Sequence, residues 1–367
     1  MNIYQKALED RKKQHLLRVL PLLPEGIDFY SNDYLGLSDD PYLQLIIEKE
    51  LKEVPAKNGA TGSRLLSGNS EYALEVEKQI ASFHKVESAL VYTSGYTANL
   101  GLIASLAIKG TTLICDELIH ASLIDGVRLG HAQKVRFKHN DLTDLQDKLE
   151  KNEGDKIVIV ESVYSMDGDI CPLKEVTKLC KKYDAHLIVD EAHAIGIYGD
   201  EGEGLVQSLG FENDVLARII TYGKAPGIHG AAVVGPGWLK EYQINFSRSM
   251  IFSTAPPNHQ FACISATYQH LAKTNTKRNK LKEIIEYFIQ KRKQSGGEWL
   301  DSTSQIQSLI IPGNKEVLDI AEKLKEAGIN ALPIRKPSVT EGKERIRFCL
   351  HSYNTKEEID LLFEIIN

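Results

Sequence analysis

The chain has 367 residues, 42% hydrophobic and 26% charged, which allows a large core and two or three domains. A formal net charge of −6 argues against an electrostatic grip on nucleic acid or on an anionic membrane surface, so any anionic ligand must be held by local groups. Five widely spread cysteines with no C-x-x-C pair suggest reduced cytosolic thiols, neither a disulfide framework nor a zinc site, and no metal is expected.

Residues 3–19 carry basic and apolar residues at helical spacing, and Pro21 and Pro24 are expected to end that helix. The start lacks an apolar signal core and no run approaches the roughly 18 apolar residues of a membrane span, so a cytoplasmic protein is expected. Phe29 to Leu37 reads as a short strand running into a polar turn, followed by an amphipathic helix through Leu51. The segment 57–68 is glycine-rich, contains Arg64 and has no regular period, which marks a loop with a task.

From about 70 to 235, strand and helix patterns alternate. Strands are expected at 88–92, 111–115, 134–137, 156–160, 186–190, 215–221 and 230–234, with helices such as 72–83, 97–107, 142–151 and 173–183 between them. Continuously apolar strands separated by helix-length segments predict an α/β fold, a mostly parallel seven-stranded sheet covered on both faces. Beyond Phe252 come helices at 256–273 and 277–294, then strands at 307–311 and 345–350 with helices at 315–327 and 355–365, a smaller α+β domain. The expected division is an arm over 1–45, a large domain over 46–251 and a small domain over 252–367.

Ligands of such sheets bind at the carboxyl ends of strands, so the residues there carry the functional argument. After 215–221 comes Tyr222-Gly223-Lys224-Ala225-Pro226-Gly227, in which glycines and small residues clear space around one lysine. A phosphate-cradling loop would need a glycine where Arg218 stands and a Ser or Thr where Ala225 stands, so that reading fails. Taken alone, Lys224 is more often a solvated charge. After 88–92, Ser94-Gly95-Tyr96-Thr97 opens a helix whose free N–H groups favour a phosphate, although taken alone the motif is more often an ordinary cap by Ser94 or Thr97. His120 follows 111–115 where an imidazole can stack on a planar ligand, and a lone histidine there is more often a helix-start residue. The polar run Glu161-Ser162-Val163-Tyr164-Ser165 follows 156–160, and Asp190-Glu191-Ala192-His193 closes 186–190. Those last letters also mark a helicase box, which needs the phosphate loop already excluded.

Together the groups are more specific than any one of them. A lysine, a carboxylate at a buried strand end, a stacking histidine and an anion seat on one sheet edge are what pyridoxal phosphate requires. Asp190 would keep the ring nitrogen protonated. A free lysine titrates near 10.4, so the site must also desolvate Lys224 or bring positive charge near it.

At this point the chain resembles the α-oxoamine synthases, pyridoxal-phosphate enzymes of the type I aminotransferase fold. The resemblance runs in order through Ser31-Asn32-Asp33-Tyr34-Leu35-Gly36, Gly62-Ser63-Arg64, Thr93-Ser94-Gly95-Tyr96, Ile119-His120-Ala121-Ser122, Ser165-Met166-Asp167-Gly168-Asp169, Asp190-Glu191-Ala192-His193, Thr221-Tyr222-Gly223-Lys224, Phe252-Ser253-Thr254 and Arg345-Ile346-Arg347. It implies that Lys224 holds the cofactor and moves the α-proton, that Asp190 pairs with the ring nitrogen, and that His120 stacks on the ring. His193 and Ser165 would sit by the phenolic oxygen. Ser94, Gly95, Tyr96 and Thr221 would hold the phosphate, joined by Ser253 and Thr254 from a partner subunit of a homodimer.

Arg347 would clamp the amino-acid carboxylate, with Asn32 nearby and Arg64 also on the substrate side. The implied reaction joins an amino acid to an acyl-CoA thioester with loss of CoA and carbon dioxide, and the loop 62–68 is most similar to the member using alanine and a pimeloyl thioester. Members of the same family that join glycine to an acetyl group or serine to a long-chain acyl group, an ordinary aminotransferase and a non-catalytic partner subunit are the competing readings. Two departures from the family pattern are Pro226 and His229, where a bulky apolar and a small residue are usual, and the N-terminal arm is short.

Overall fold

The structure is a computed structural model that describes residues 2–22 and 25–367. Its strands are β1 (Ile27–Phe29), β2 (Ser88–Tyr92), β3 (Thr111–Asp116), β4 (Gln133–Phe137), β5 (Asp155–Glu161), β6 (Ala185–Asp190), β7 (Ala217–Thr221), β8 (Ala231–Gly235), β9 (Glu298–Trp299), β10 (Ile306–Ile310), β11 (Ile329–Ile334) and β12 (Arg345–Cys349). Two compact units contain them: a larger one formed by Leu35–Tyr164 and Cys171–Arg278, and a smaller one formed by Met1–Tyr34, Ser165–Ile170 and Asn279–Asn367.

The larger unit holds the expected seven-stranded sheet, in the order β2-β8-β7-β6-β5-β3-β4. Pairing is parallel from β7 to β4, and β8 runs antiparallel to both of its neighbours. Every residue of β3 is buried, as a strand covered on both faces requires. Residues 157, 159, 188, 217 and 219 point to one face and pack with Leu102, Ile103 and Leu123. Because the parallel strands share one direction, Asp116, Glu161, Asp190 and Thr221 all end at the same edge.

The smaller unit is built on a mixed sheet, β1-β11-β12-β10-β9, in which only β1 and β11 pair in parallel. Phe288, Trp299, Phe348 and Phe363 pack together, with Phe288 ring centroids 5.7, 6.1 and 5.1 Å from the other three respectively. The sequence pattern missed β9 and β11. Asn330 and Pro333 interrupt the apolar run of β11, and β9 is two residues long.

Other expected boundaries also move. The first helix runs over Ile3–Lys13, capped by Asn2 and Gln5, and stops short of 19 because His15 takes a φ of +56°. Pro24, expected to help end it, lies outside the described residues. The compact units divide the chain at other places than 45 and 251. The helix Asn258–Leu271 packs on the helices Pro41–Glu53 and Glu71–Phe83, so residues 252–278 go with the larger unit. Among the described residues no helix is long and apolar enough to cross a membrane, and no group of three or more His, Cys, Asp or Glu is placed to hold a metal ion.

Phe288 is fully buried within the aromatic cluster. Phe288→Ala should destabilise the smaller unit by about 3–5 kcal/mol, read as a shift of the urea midpoint in Trp299 fluorescence. A change below about 1 kcal/mol would show that the cluster is not the core of that unit.

Candidate active site

The loop 222–230 joins β7 to β8 and carries Lys224. Tyr222 N–H donates to Gly230 O (3.0 Å), Ile228 N–H to Tyr222 O (3.1 Å), and Gly227 N–H to Lys224 O (2.9 Å), so the lysine stands at the head of a tight turn. Gly227 has a φ of +71°, and a Cβ there would lie 2.4 Å from Ser38 N and 2.5 Å from the Leu37 carbonyl carbon. Only glycine fits that position. Pro226 is buried within the turn and His229 is exposed.

Lys224 Nζ lies 2.9 Å from Nε2 of the buried His193. Either the ammonium donates to a neutral imidazole or the imidazole N–H donates to a neutral amine. A proton can pass between them in both cases.

Asp190, buried at the end of β6, accepts on both oxygens: from Ala192 N–H (2.9 Å) on one and from Asn99 Nδ2 (2.8 Å) on the other. The second amide proton of Asn99 goes to Ser122 Oγ (2.9 Å), which lies 2.7 Å from His120 Nδ1. Since Nδ1 also accepts the Ser122 N–H (3.3 Å), the serine hydroxyl donates to it, and the neutral His120 ring keeps its proton on Nε2. Desolvation and then Lys224 push the His120 pKa below its ordinary value, against Asp190 and Asp125. His120 is also the N-cap of the helix Ala121–Leu129, so the helix-start reading holds structurally, and the cap orients the exposed ring.

An anion seat forms where helix Gly95–Leu106 begins beside the end of β7. Ser94 and Thr97 cap it reciprocally, leaving the Gly95 and Tyr96 N–H groups at the positive end of a 12-residue helix. A Cβ on Gly95 would lie 2.5 Å from Thr221 Oγ1, so the missing side chain is what brings the threonine hydroxyl against these amides. The Tyr96 hydroxyl donates to Asp125. Ser253 and Thr254 stand in the loop after helix Arg248–Ile251, beside exposed Phe252, and line a small depression with Arg64 and Tyr92.

The smaller unit gathers the other candidates. Arg347 on β12 is 5% exposed and donates to Ser165 O (2.9 Å) and Asn32 Oδ1 (3.2 Å), while its Nε has no partner among the described residues. No carboxylate among the described residues forms an ion pair with it, whereas Arg345, two residues earlier, pairs with Asp167 at 2.6 Å. A buried guanidinium without a counter-ion is costly, and an incoming carboxylate removes that cost. Here Ser165 contributes its carbonyl to Arg347.

The same unit contains a cavity of about 750 Å³. Leu16, Tyr30, Met166 and Leu332 give it apolar and aromatic wall, and Arg18 and Arg335 charge its lining. Arg335 donates to His15 O and Arg18 to Ser338 Oγ (3.4 Å); burial, then Arg18, hold the Arg335 pKa below its ordinary value. Sequence reasoning missed both arginines, as well as Asn99 and Ser122. Ser122 at least lay inside a motif already singled out, and Asn99 lies two residues beyond another.

Arg64, expected on the substrate side, has partners inside the fold. Arg64 donates from both terminal nitrogens to Glu77 (2.7 and 3.2 Å) and from Nε to Asn69 (2.7 Å), and its guanidinium lies over Phe261. Glu77 also accepts from Val91 N–H and Lys240. Arg64 is thus engaged by a buried acid.

A sequence model of the family described as aminotransferase class I and II matches residues 24–366. A putative 8-amino-7-oxononanoate synthase of Geobacillus kaustophilus is 39% identical over 345 residues, 93% of this chain and 87% of that protein. Among solved structures, serine palmitoyltransferase from S. paucimobilis with a bound PLP–myriocin aldimine has a TM-score of 0.91 at 27% identity, covering 100% of this chain and 97% of that one. The 8-amino-7-oxononanoate synthase of Francisella tularensis has a TM-score of 0.80 at 30% identity, covering 93% and 96% respectively.

Arg64→Ala should lower stability by about 3–5 kcal/mol, because Glu77 stays buried and loses its two-pronged partner. Urea denaturation measures this; a loss under about 1 kcal/mol would return Arg64 to the candidates for substrate contact.

Proposed function

The chain belongs to the aminotransferase class I and II family, and from that premise we propose a pyridoxal-phosphate enzyme that condenses an amino acid with an acyl-CoA thioester, releasing CoA and carbon dioxide and leaving an aminoketone. The specific pair is L-alanine and pimeloyl-CoA, giving 8-amino-7-oxononanoate for biotin synthesis. The protein works in the cytoplasm as a homodimer.

The observation that carries the cofactor is the cluster in the larger unit. Lys224, His193, Asp190 and His120 stand with an anion seat whose space exists because Gly95 has no side chain. Bound pyridoxal phosphate supplies an electron sink for the carbon that bears the amino group. Lys224 Nζ would hold the cofactor until the amino group of the substrate displaces it, and its freed amine would then take the α-proton and later return one. His193 Nε2, 2.9 Å from that nitrogen, would relay protons and stand by the phenolic oxygen. Asp190 would pair with the ring nitrogen and His120 would stack on the ring. Gly95, Tyr96 and Thr221, with Ser94 as the helix cap, would hold the phosphate, and Ser253 and Thr254 would reach it from a second copy. Leu66 and Phe252, 82% and 70% exposed, give apolar surface for that copy near those residues. Arg347 and Asn32 take the amino-acid carboxylate.

The cavity in the smaller unit supports the acyl donor. Its volume lies within the roughly 300–1,000 Å³ of ordinary ligand pockets. Apolar wall suits methylenes, and two guanidinium groups close enough to repel each other suit a terminal carboxylate. A two-carbon acyl group leaves that space unused, and a long alkyl chain gains nothing from the charge. The large likeness to serine palmitoyltransferase supports the runner-up, a serine and long-chain acyl donor.

Two experiments test this reading. A panel of amino acids against acyl-CoAs, scored by CoA release, should show alanine with pimeloyl-CoA as the best pair. Lys224→Ala should abolish turnover while thermal unfolding stays within about 2 °C of the parent. No CoA release with any pair, or amino-acid-dependent conversion of the cofactor to its amine form alone, favours an ordinary aminotransferase.

Arg335→Ala should lower kcat/KM for pimeloyl-CoA by roughly 10- to 100-fold, the range of a charge-assisted contact, with little change for heptanoyl-CoA. Equal losses for both donors would place the carboxylate elsewhere.

A further inference from the structure

Asn99 stands between two of the groups that the reading above makes central. It lies early in helix Gly95–Leu106 and is 2% exposed, and Ser122, in the first turn of helix Ala121–Leu129, is fully buried. One proton of the Asn99 amide goes to Asp190 Oδ2 (2.8 Å) and the other to Ser122 Oγ (2.9 Å). An ionised carboxylate only accepts, so the amide nitrogen has to face Asp190, and a flipped amide would set oxygen against oxygen there. This leaves Asn99 Oδ1 buried without a partner among the described residues. A buried acceptor without a donor is destabilising, and the fold keeps it so while both amide protons are in use.

Ser122 passes the direction on. Its hydroxyl accepts from Asn99 and gives its own proton to His120 Nδ1 (2.7 Å), which also accepts the Ser122 N–H (3.3 Å). Two donors on Nδ1 oppose a proton there, and so oppose the imidazolium. Donors thus run one way, from Asn99 through Ser122 to the ring, while the same amide holds Asp190. The charged groups that reach His120 are Lys224 on the loop after β7, Asp190 on β6 and Asp125 on its own helix, and Glu161 ends β5 in register with Asp190. A ring stacked on a protonated pyridine has to be neutral itself, since two cationic rings face to face repel.

We propose that Asn99 and Ser122 are positioning residues of this site: a one-way chain of donors that fixes Asp190 and His120 together and keeps the stacking imidazole neutral. Asn99 supplies the link and Ser122 sets the ring. The consequences for the cofactor rest on the pyridoxal-phosphate reading, whereas the donor chain itself does not.

The chain is read first on the protein as purified, by magnetic resonance with nitrogen-labelled histidine between about pH 5 and pH 9. The His120 signals are identified by their loss in His120→Gln. Ser122→Ala keeps every charge and removes one donor from Nδ1, so the His120 midpoint should rise by about 0.5–1 unit, the worth of one hydrogen bond. At the alkaline end the Nδ1 resonance of the neutral ring should move toward that of a nitrogen without a donor. A resonance left in place, or a midpoint that falls, overturns the role of Ser122.

With pyridoxal phosphate added, Ser122→Ala should weaken its binding about three- to tenfold. In an Asn99→Ala background the same change should weaken it less than about twofold, because the chain is already broken one step earlier. Equal losses in the two backgrounds overturn the link through Asn99. If Asn99→Ala does not fold, Asn99→Leu, which fills the space without a donor, takes its place in the comparison. A parent that binds no pyridoxal phosphate defeats the cofactor reading, and the histidine spectra still judge the donor chain.

Discussion

The alternation of side chains along β5, β6 and β7 is the constraint on which the chemistry of the larger unit depends. Residues 157 and 159, 188, and 217 and 219 turn to one face and form a dry core with the helices above them. The next residues of the same phase are Glu161, Asp190 and Thr221. The apolar stripe thus becomes polar at its last position on three neighbouring strands, and parallel pairing brings those positions to one edge. A slip of one residue in any of these strands would turn its polar end residue to the opposite face and present an aliphatic side chain at the edge. The burial of the core therefore locates the polar groups without any interaction among them.

Below that edge, a chain of buried polar groups supports the Lys224 loop. The Tyr222 hydroxyl lies 3.1 Å from that of Tyr268, which lies 2.8 Å from His84 Nε2, and the His84 carbonyl accepts from Arg218 (2.5 Å). Arg218 reaches Glu191 at 3.7 Å, and Glu191 accepts the Val206 N–H at 2.9 Å. Burial raises the Glu191 pKa to about 7, with Arg218 opposing it. Asp190 and Glu191 are consecutive and therefore face opposite ways, one toward the site and the other into this support. The four letters Asp190-Glu191-Ala192-His193 thus divide between two surroundings: Asp190 and His193 stand with Asn99 and Lys224, and Glu191 with Arg218.

Legibility in the sequence followed the range of the interactions involved. The seven strands of the large sheet were readable because each is a local apolar run closed by polar residues, and β2 fell at the expected residues 88–92. β11 was not readable, because its pairing with β1 joins residues some 300 positions apart, as Ile27 with Ile329, and its own run is broken by Asn330 and Pro333. Lys224, His193, Asp190 and His120 were legible as strand-end residues. The hydrogen-bonded sequence from Asp190 through Asn99 and Ser122 to His120 was not, since three elements far apart in the chain contribute to it. Arg18 and Arg335 carry no local signal at all; what singles them out is a shared cavity.

The arginines show why residue type alone misleads. Arg64, Arg218, Arg345 and Arg347 are all buried, and a sequence offers no ground for treating them differently. The acid within reach separates them. Arg64 has Glu77 at 2.7 Å, Arg345 has Asp167 at 2.6 Å, and Arg218 has Glu191 at 3.7 Å. Arg347 has a carbonyl and an amide oxygen but no carboxylate among the described residues, and its Nε is unpartnered. A guanidinium whose charge is matched inside the fold stabilises the fold; one whose charge is left unmatched in a dry place holds that energy for a ligand.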